Sequence, residues 1–440
     1  MTIGIGLLGL GTVGAGVAGI LATPEGRHPL VSALALRRVA VRELSRPRPV
    51  ELAPELLTTD PQAVVDDPAV DIVVEVMGGL EPARSLILRA LRAGKPVVTA
   101  NKAVIARFGG EIAAAAEQMG VYVLIEAAVG GGIPIIEPLK QSLGGNRIQR
   151  VSGIINGTTN YILSRMADEG AAYAEVLADA QALGYAEADP AADVQGGDAA
   201  DKIAILAGLA YGGPVDRSAI PATGIDQLDS RDVAYAAQLG YSVKLLAVAE
   251  HIGEGEAGCQ LLDVRVHPTL VPKAHPLAGV HGVNNAILVE GDPVGQVMFY
   301  GPGAGAGPTA SAVVADILNI AGIRQVSGGQ AHAPLDPLLA ASSWRSCGLV
   351  DGNLTRHRNY VRLRTSDEAG VIGKIGTCFG QAGVSIQSIV QFERSAAAAG
   401  HAAEIVVITH EVQEAQFRQA LAAISTLTEV EAVAACLRTL

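Results

Sequence analysis

Aromatic residues are scarce in this 440-residue chain, at 3%, so its cores must be built from Ala, Val, Ile and Leu. Cysteine is also rare. Cys259, Cys347, Cys378 and Cys436 lie far apart with no CxxC pair, which suggests neither a disulfide framework nor a zinc site. Positive charge is not in excess: 32 Lys and Arg stand against 44 Asp and Glu, a formal net charge of −12. That balance argues against nucleic acid or an anionic membrane surface as the main partner. No uncharged apolar run reaches about 18 residues. The N-terminus lacks a basic region and a small-residue cleavage site, so a soluble cytoplasmic protein is expected. Long polar tracts are missing too, and 49% of residues are hydrophobic, which excludes bulk disorder. The length fits roughly three domains.

What is present begins with Thr2-Ile-Gly-Ile-Gly-Leu-Leu-Gly9, an apolar run that breaks into glycines and resumes as Val13-Gly-Ala-Gly-Val-Ala-Gly-Ile20. This predicts a buried strand, a tight turn and a helix. Further strands are expected at 35–41, 71–77, 95–100 and 121–126, with helices at 82–93 and 111–119. Strands alternating with helices imply right-handed crossovers, hence a doubly wound, mostly parallel α/β sheet over residues 1–130. After Gly130 the texture changes. Helices at 159–168 and 171–183 and strands at 261–267 and 286–290 predict an α+β domain with an open mixed sheet over 131–307. The stretch Tyr300-Gly-Pro-Gly-Ala-Gly-Ala-Gly307 opens a small-residue helix, about 308–322, expected to pack back onto the first sheet. Residues 323–357 read as a linker, Gly/Pro/Ala-rich over 327–337. The tail, 358–440, orders its elements β-α-β-β-α-β, the ferredoxin-like arrangement.

Gly9-Leu-Gly11-Thr12-Val13-Gly14 fits GxGxxG, with a strand before it and a helix after. In a Rossmann-type unit the first glycine permits the turn and the second admits the pyrophosphate to the backbone. The third lets helix meet strand. The pyrophosphate would sit on N–H groups at the positive end of the helix. At the end of the second strand a basic residue can hold a 2′-phosphate and an acidic one a 2′-hydroxyl. Here Arg42 favours NADP and the adjacent Glu43 leaves NAD open, while a merely solvated arginine loop is the bland alternative.

Three clusters could carry chemistry. Thr99-Ala-Asn-Lys102 closes a strand, where residues open into the ligand crevice; a surface lysine is the alternative. In the second cluster Lys202 follows Asp198 by four residues, so a helix puts both on one face, with Asp201 turned elsewhere. The apolar helix around Lys202 predicts partial burial, which lowers an amine's pKa towards acid–base work. Glu187, Asp193 and Asp198 together suit the ammonium of a zwitterionic substrate, against the reading of a solvated acidic loop. The third, Glu126-Ala-Ala-Val129-Gly-Gly131-Gly-Ile133, could wrap a hard cation through oxygens or be a tight interdomain turn.

These pieces occur in one order: Gly9-x-Gly11-x-x-Gly14, Val41-Arg42, Thr99-Ala-Asn-Lys102, Glu126-Ala-Ala-Val-Gly-Gly-Gly-Ile-Pro-Ile-Ile, Gly153-Ile-Ile-Asn-Gly-Thr-Thr-Asn-Tyr-Ile, Leu183-Gly184-Tyr-Ala-Glu187-x-Asp-Pro, Asp193-Val-x-Gly-x-Asp198-x-x-x-Lys202 and Gly301-Pro-Gly-Ala-Gly. The set, over residues 1 to about 345, resembles homoserine dehydrogenase. The tail resembles an ACT regulatory domain, with Asp367-Glu-Ala-Gly370 at its first strand-to-helix turn. No aspartate kinase segment precedes the first strand, as in the monofunctional form. The resemblance implies NAD(P)-dependent interconversion of L-homoserine and L-aspartate 4-semialdehyde, in threonine and methionine biosynthesis. It makes Lys202 the proton donor and acceptor, with Lys102 between nicotinamide and substrate. Glu187 and Asp198 then bind the substrate, Asp193 supports them, and Val13, Gly184 and Gly301 touch the cofactor. Glu126, Val129, Gly131 and Ile133 coordinate sodium, mostly through carbonyls. It further implies a substrate-binding and dimerisation domain at 131–307, a homodimer or homotetramer, and threonine as an effector of the ACT domain. One departure is Glu43, where Asp is more usual.

Two other classes remain. An aspartate-semialdehyde or glyceraldehyde-type dehydrogenase acting through a cysteine thiohemiacetal needs a crevice cysteine with a nearby histidine. A nucleotide-sensing regulator with an ACT tail needs no Lys202–Asp198 pair.

Overall fold

The computed structural model describes residues 2–326, 335–340, 343–393 and 402–440. The opening apolar run forms β1 (Ile3–Leu8), buried throughout, and the glycine turn leads into α1 (Thr12–Ala22). Then follow β2 (Leu34–Ala40), β3 (Leu57–Thr58), α2 (Pro61–Asp66), β4 (Ile72–Glu75), α3 (Ala83–Arg92), β5 (Val97–Thr99), α4 (Lys102–Met119) and β6 (Val123–Leu124). The strands pair in parallel in the order β3-β2-β1-β4-β5-β6. The order reverses beside β1, and a ligand crevice opens outside the carboxyl ends there. Helix α4 starts nine residues earlier than the apolar period indicates, because the Asn101 side chain caps it by accepting from Val104 N at 3.2 Å.

The second domain contains α5 (Ile136–Lys140), β7 (Arg147–Ile154), α6 (Gly157–Glu169), α7 (Tyr173–Ala182), α8 (Ala191–Val194), α9 (Gly197–Tyr211) and α10 (Ser230–Gln238). Its remaining strands are β8 (Tyr241–Glu254), β9 (Gln260–Pro272), β10 (Asn284–Asp292) and β11 (Gly295–Pro302). They stack antiparallel as β11-β10-β7-β8-β9. The chain then returns as α11 (Ala306–Val326) to the first sheet. There it crosses α1 closely because Gly16 lacks a side chain: a Cβ at that position would stand 2.8 Å from Ala310 Cβ. By length and composition α11 could cross a membrane, but Val313, Ile317 and Ile320 are buried in the core of the nucleotide domain.

The segment read as a linker differs from a free tether. Helix α11 runs into it, and β12 (Cys347–Leu349) pairs with β9 in parallel. Most of its Gly/Pro/Ala-rich part, 327–334, lies outside the described residues. The tail folds as β13 (Arg356–Ser366), α12 (Val371–Gln381), β14 (Ile386–Glu393), β15 (Ala402–Thr409), β16 (Val412–Gln413), α13 (Glu414–Ile424) and β17 (Val430–Thr439). Strand β17 pairs with β9, so the ferredoxin-like sheet, β17-β13-β15-β14, prolongs that of the second domain and makes it mixed.

One seam between these units carries charge. Arg362 on β13 is 1% exposed, yet its guanidinium donates to both oxygens of Asp232 on α10, at 2.7 and 2.9 Å. It also donates to Glu404 Oε1 at 2.8 Å. Tyr360 OH donates to Asp232 as well, and Arg231 and Tyr235 of α10 both donate to Glu404. Helix α10 in turn packs on α6, whose N-cap residue Asn156 bonds Asp193 and Asp198.

Candidate active site

The glycine turn has the shape that a dinucleotide requires. Gly9 adopts φ +105°, and a Cβ at Gly14 would stand 2.1 Å from Gly9 O, so side chains are excluded at both. A Cβ at Gly11 would meet nothing within 4 Å, leaving the backbone there open to approach. The first turn of α1, including Thr12, Val13 and Gly14, has no acidic residue and no side-chain cap, so its N–H groups are available to an anion. Two further glycine turns converge nearby. A Cβ at Gly131 would lie 2.4 Å from Gly303 O, and Gly132 N donates to Pro302 O at 3.1 Å, which places the 130–133 turn against the Gly301 loop.

Lys102 is the first residue of α4, and its neighbours in the motif explain its placement. Thr99 Oγ1 donates to the buried carboxylate of Glu75 at 2.7 Å and accepts from Asn101 N. Asn101 also donates to Gly79 O. This network pins the strand-to-helix corner that carries the lysine.

Helix α9 supplies the other half. Lys202 is 8% exposed; its ammonium donates to Asp198 Oδ2 at 2.7 Å and to Ile155 O at 2.6 Å. Lys102 reaches the other oxygen of the same carboxylate, Oδ1, at 2.6 Å. Two ammonium groups thus share one buried carboxylate. Burial favours the neutral amine of Lys202; Asp198 opposes this and Lys102 adds to it, leaving Lys202 below the ordinary lysine range. Lys102 is less enclosed, with 40% of its side chain exposed. Burial lowers it too, but Asp198 outweighs that and holds it above the ordinary range. Of the two lysines, therefore, only Lys202 is lowered, as the apolar helix around it predicts. Asp198, which burial alone would raise, is held well below the usual carboxylate range by the two cations.

Asp201 faces away, as its spacing predicts, and pairs with Arg107 and Arg217. Asp193 on α8 accepts from Asn156 Nδ2 at 2.7 Å, and burial raises its pKa. Glu187 lies exposed in the loop after Gly184; among the described residues its carboxylate has no hydrogen bond or ion pair. Thr158 Oγ1 donates to Tyr185 O at 2.7 Å and holds that loop at the start of α6. Asn156 is the residue that sequence reasoning missed. It sits in a quoted motif, but nothing local shows that its amide reaches Asp193 and Asp198, 37 and 42 residues away.

The Glu126 turn departs from a carboxylate metal site. Glu126 accepts from the N–H groups of Ile135, Ile136 and Glu137, which caps α5. Among the described residues no cluster of His, Cys, Asp and Glu could hold a metal ion. The cysteines stand away from the lysines: Cys347 Sγ contacts Tyr211 O, at the far end of α9 from Lys202, and Cys259 lies beside β12. A cavity of about 1160 Å³ behind α4 and α9, lined by Leu139, Gln149 and Trp344, contains neither lysine.

Comparison with known proteins identifies relatives over the whole chain. The family model for homoserine dehydrogenase matches residues 134–318, that for the homoserine dehydrogenase NAD binding domain matches 9–126, and that for the ACT domain matches 359–429. A homoserine dehydrogenase of Synechocystis sp. is 57% identical, covering 100% of both chains. The crystal structure of a homoserine dehydrogenase from Thiobacillus denitrificans superposes with a TM-score of 0.90 at 41% identity, covering 100% of this chain and 98% of that one. A hyperthermophilic archaeal homoserine dehydrogenase in complex with NADPH covers 73% of this chain and 98% of its own, with a TM-score of 0.60 and 29% identity. The chain belongs to the homoserine dehydrogenase family.

Proposed function

We propose that the chain interconverts L-homoserine and L-aspartate 4-semialdehyde with NAD(P), and that Lys202 moves the proton. The observation that carries this reading is one buried carboxylate, Asp198, shared by Lys202 and Lys102. A nicotinamide coenzyme held at the α1 glycine turn would take a hydride from the alcohol carbon in oxidation and return one to the carbonyl carbon in reduction. In oxidation the neutral Lys202 amine takes the hydroxyl proton; in reduction its ammonium returns it. Lys102, kept cationic by Asp198, stabilises the oxyanion. Asp198 has a lysine on each oxygen, so the substrate ammonium falls first to Glu187 and Asp193. Asp198 reaches it only by exchanging a lysine. Gly184 and Gly301 would border the coenzyme.

For the coenzyme, NADP is the better match. Arg42 is exposed and has no bonding partner among the described residues. Glu43 accepts from Ser45 Oγ at 2.7 Å, and Arg48 folds back onto the carbonyls of Leu44 and Arg46. The guanidinium is free for a 2′-phosphate while the neighbouring acid is engaged. Arg42→Ala raises KM for NADP about tenfold, the effect of losing a charge-assisted contact, and leaves KM for NAD unchanged. Equal effects on both coenzymes refute this preference.

A sodium ion at the Glu126 turn is supported by its carbonyls. Those of Val129, Gly131 and Ile133 accept no hydrogen bond among the described residues. The fully buried Asp316 beside the turn also has one oxygen without a partner. Any cation is therefore held by main-chain oxygens rather than by the Glu126 carboxylate. The ACT unit is read as a feedback sensor for threonine, tied to the catalytic domain through Arg362 and Asp232. Edge strands β11 and β14, the former exposing Met298 and Tyr300, suit a homodimer or homotetramer.

An assay with purified protein tests this reading: homoserine with each coenzyme, with and without threonine, and with sodium exchanged for choline. Homoserine-dependent formation of reduced coenzyme is expected, inhibited by threonine, with the inhibition lost on truncation after Asp351. No reduced coenzyme under any condition refutes it.

A further inference from the structure

We propose that Asn156 is a positioning residue for proton transfer: its amide orients Asp198 so that one carboxylate oxygen faces Lys202 and the other Lys102. The inference rests on Lys202 being the proton acceptor. Asn156 follows Ile155 at the end of β7 and is 6% exposed. Its Nδ2 donates to Asp198 Oδ2 at 2.9 Å and to Asp193 Oδ1 at 2.7 Å. Its Oδ1 caps α6, accepting from Thr159 N at 2.9 Å and from Thr159 Oγ1 at 3.0 Å. Both N–H bonds and the carbonyl are used, which no hydroxyl or carboxylate side chain can reproduce.

The consequence is geometric. Asp198 Oδ2 receives Asn156 and Lys202 together, so the carboxylate cannot turn to give both oxygens to either lysine. The adjacent Ile155 carbonyl fixes the Lys202 ammonium from the other side. Two consecutive residues therefore hold both the proton carrier and its counter-ion. The amide also keeps Asp193 near Asp198, where like charge would separate them. The charged groups facing Lys202 are Asp198 from its own helix, Lys102 from α4 and Asp193 from α8.

Asn156→Asp is a sharp test. Aspartate caps a helix as well as asparagine does, so α6 persists, but an oxygen now faces the two carboxylates in place of a donor. The added negative charge favours the ammonium form of Lys202. The acid limb of kcat/KM for homoserine oxidation moves up by about one pH unit, and kcat near neutral pH falls about tenfold. The melting temperature stays within a few degrees. Asn156→Ser keeps a cap but is too short to span both carboxylates. It lowers kcat about tenfold while the coenzyme dissociation constant, read by reduced-nicotinamide fluorescence, is unchanged. A purely structural asparagine lowers the melting temperature and leaves the limb in place. A wild-type limb in Asn156→Asp, or kcat within threefold of wild type in Asn156→Ser, overturns the proposal. Failure of the reading it rests on is seen separately, as a limb that survives in Lys202→Ala.

Discussion

Lys202→Ala lowers kcat for homoserine oxidation by about 10²–10⁴-fold, the usual worth of a positioned acid–base group. Coenzyme affinity barely changes, because the Lys202 ammonium is engaged with Asp198 and Ile155 O rather than with the α1 turn proposed for the pyrophosphate. The fold survives, since Asp198 keeps Lys102 as a partner on Oδ1 and Asn156 on Oδ2. Lys202→Arg does not restore turnover: a guanidinium keeps its proton throughout the working range and cannot accept the hydroxyl proton. Steady-state rates followed through reduced-nicotinamide absorbance give the answer. Near-normal turnover in either variant removes Lys202 from the mechanism.

Asp232→Ala destabilises the chain by about 3–5 kcal/mol, the range for breaking one side of a buried ion pair. Arg362 then keeps Glu404 and a 3.3 Å contact with Asp229 but loses both of its bonds to Asp232, and Tyr360 OH loses its acceptor. The double replacement Asp232→Leu with Arg362→Met is milder than either single change, because no unpaired charge is left in the seam. Denaturant unfolding of the three variants measures the coupling. Additive losses contradict the account. The double variant also separates structure from signalling: with the Arg362–Asp232 pair gone and Glu404 still held by Arg231, the proposed threonine inhibition weakens more than basal turnover.

The nucleotide domain was readable because each of its devices is local. The glycines at 9, 11 and 14 sit within one turn, and buried parallel strands announce themselves as continuous Val and Ile runs. The ferredoxin-like tail was readable for the same reason, its strands alternating cleanly with two amphipathic helices. The second sheet was less legible. Strand β8 is buried continuously through its middle and opens at both ends, and β7 is half-exposed at its start and fully buried at its end, so neither keeps one period along its length. The Lys202–Asp198 pair follows from helical spacing alone, and the reach of Lys102 to the same carboxylate does not. Asn156 and Arg362 were invisible for a related reason. Each acts on residues far away in sequence, 42 in one case and 130 in the other, and no periodicity encodes such contacts.

The pH dependence of kcat/KM for homoserine oxidation, in wild type and in Lys202→Ala, bears most directly on the central claim. The account predicts that the wild-type rate rises with pH along one limb, with a midpoint below the ordinary lysine value of about 10.4. The sign follows from burial, which lowers Lys202 and makes its neutral amine available at moderately alkaline pH. In Lys202→Ala that limb disappears from the residual rate. The same limb persisting in Lys202→Ala would show that another group takes the proton.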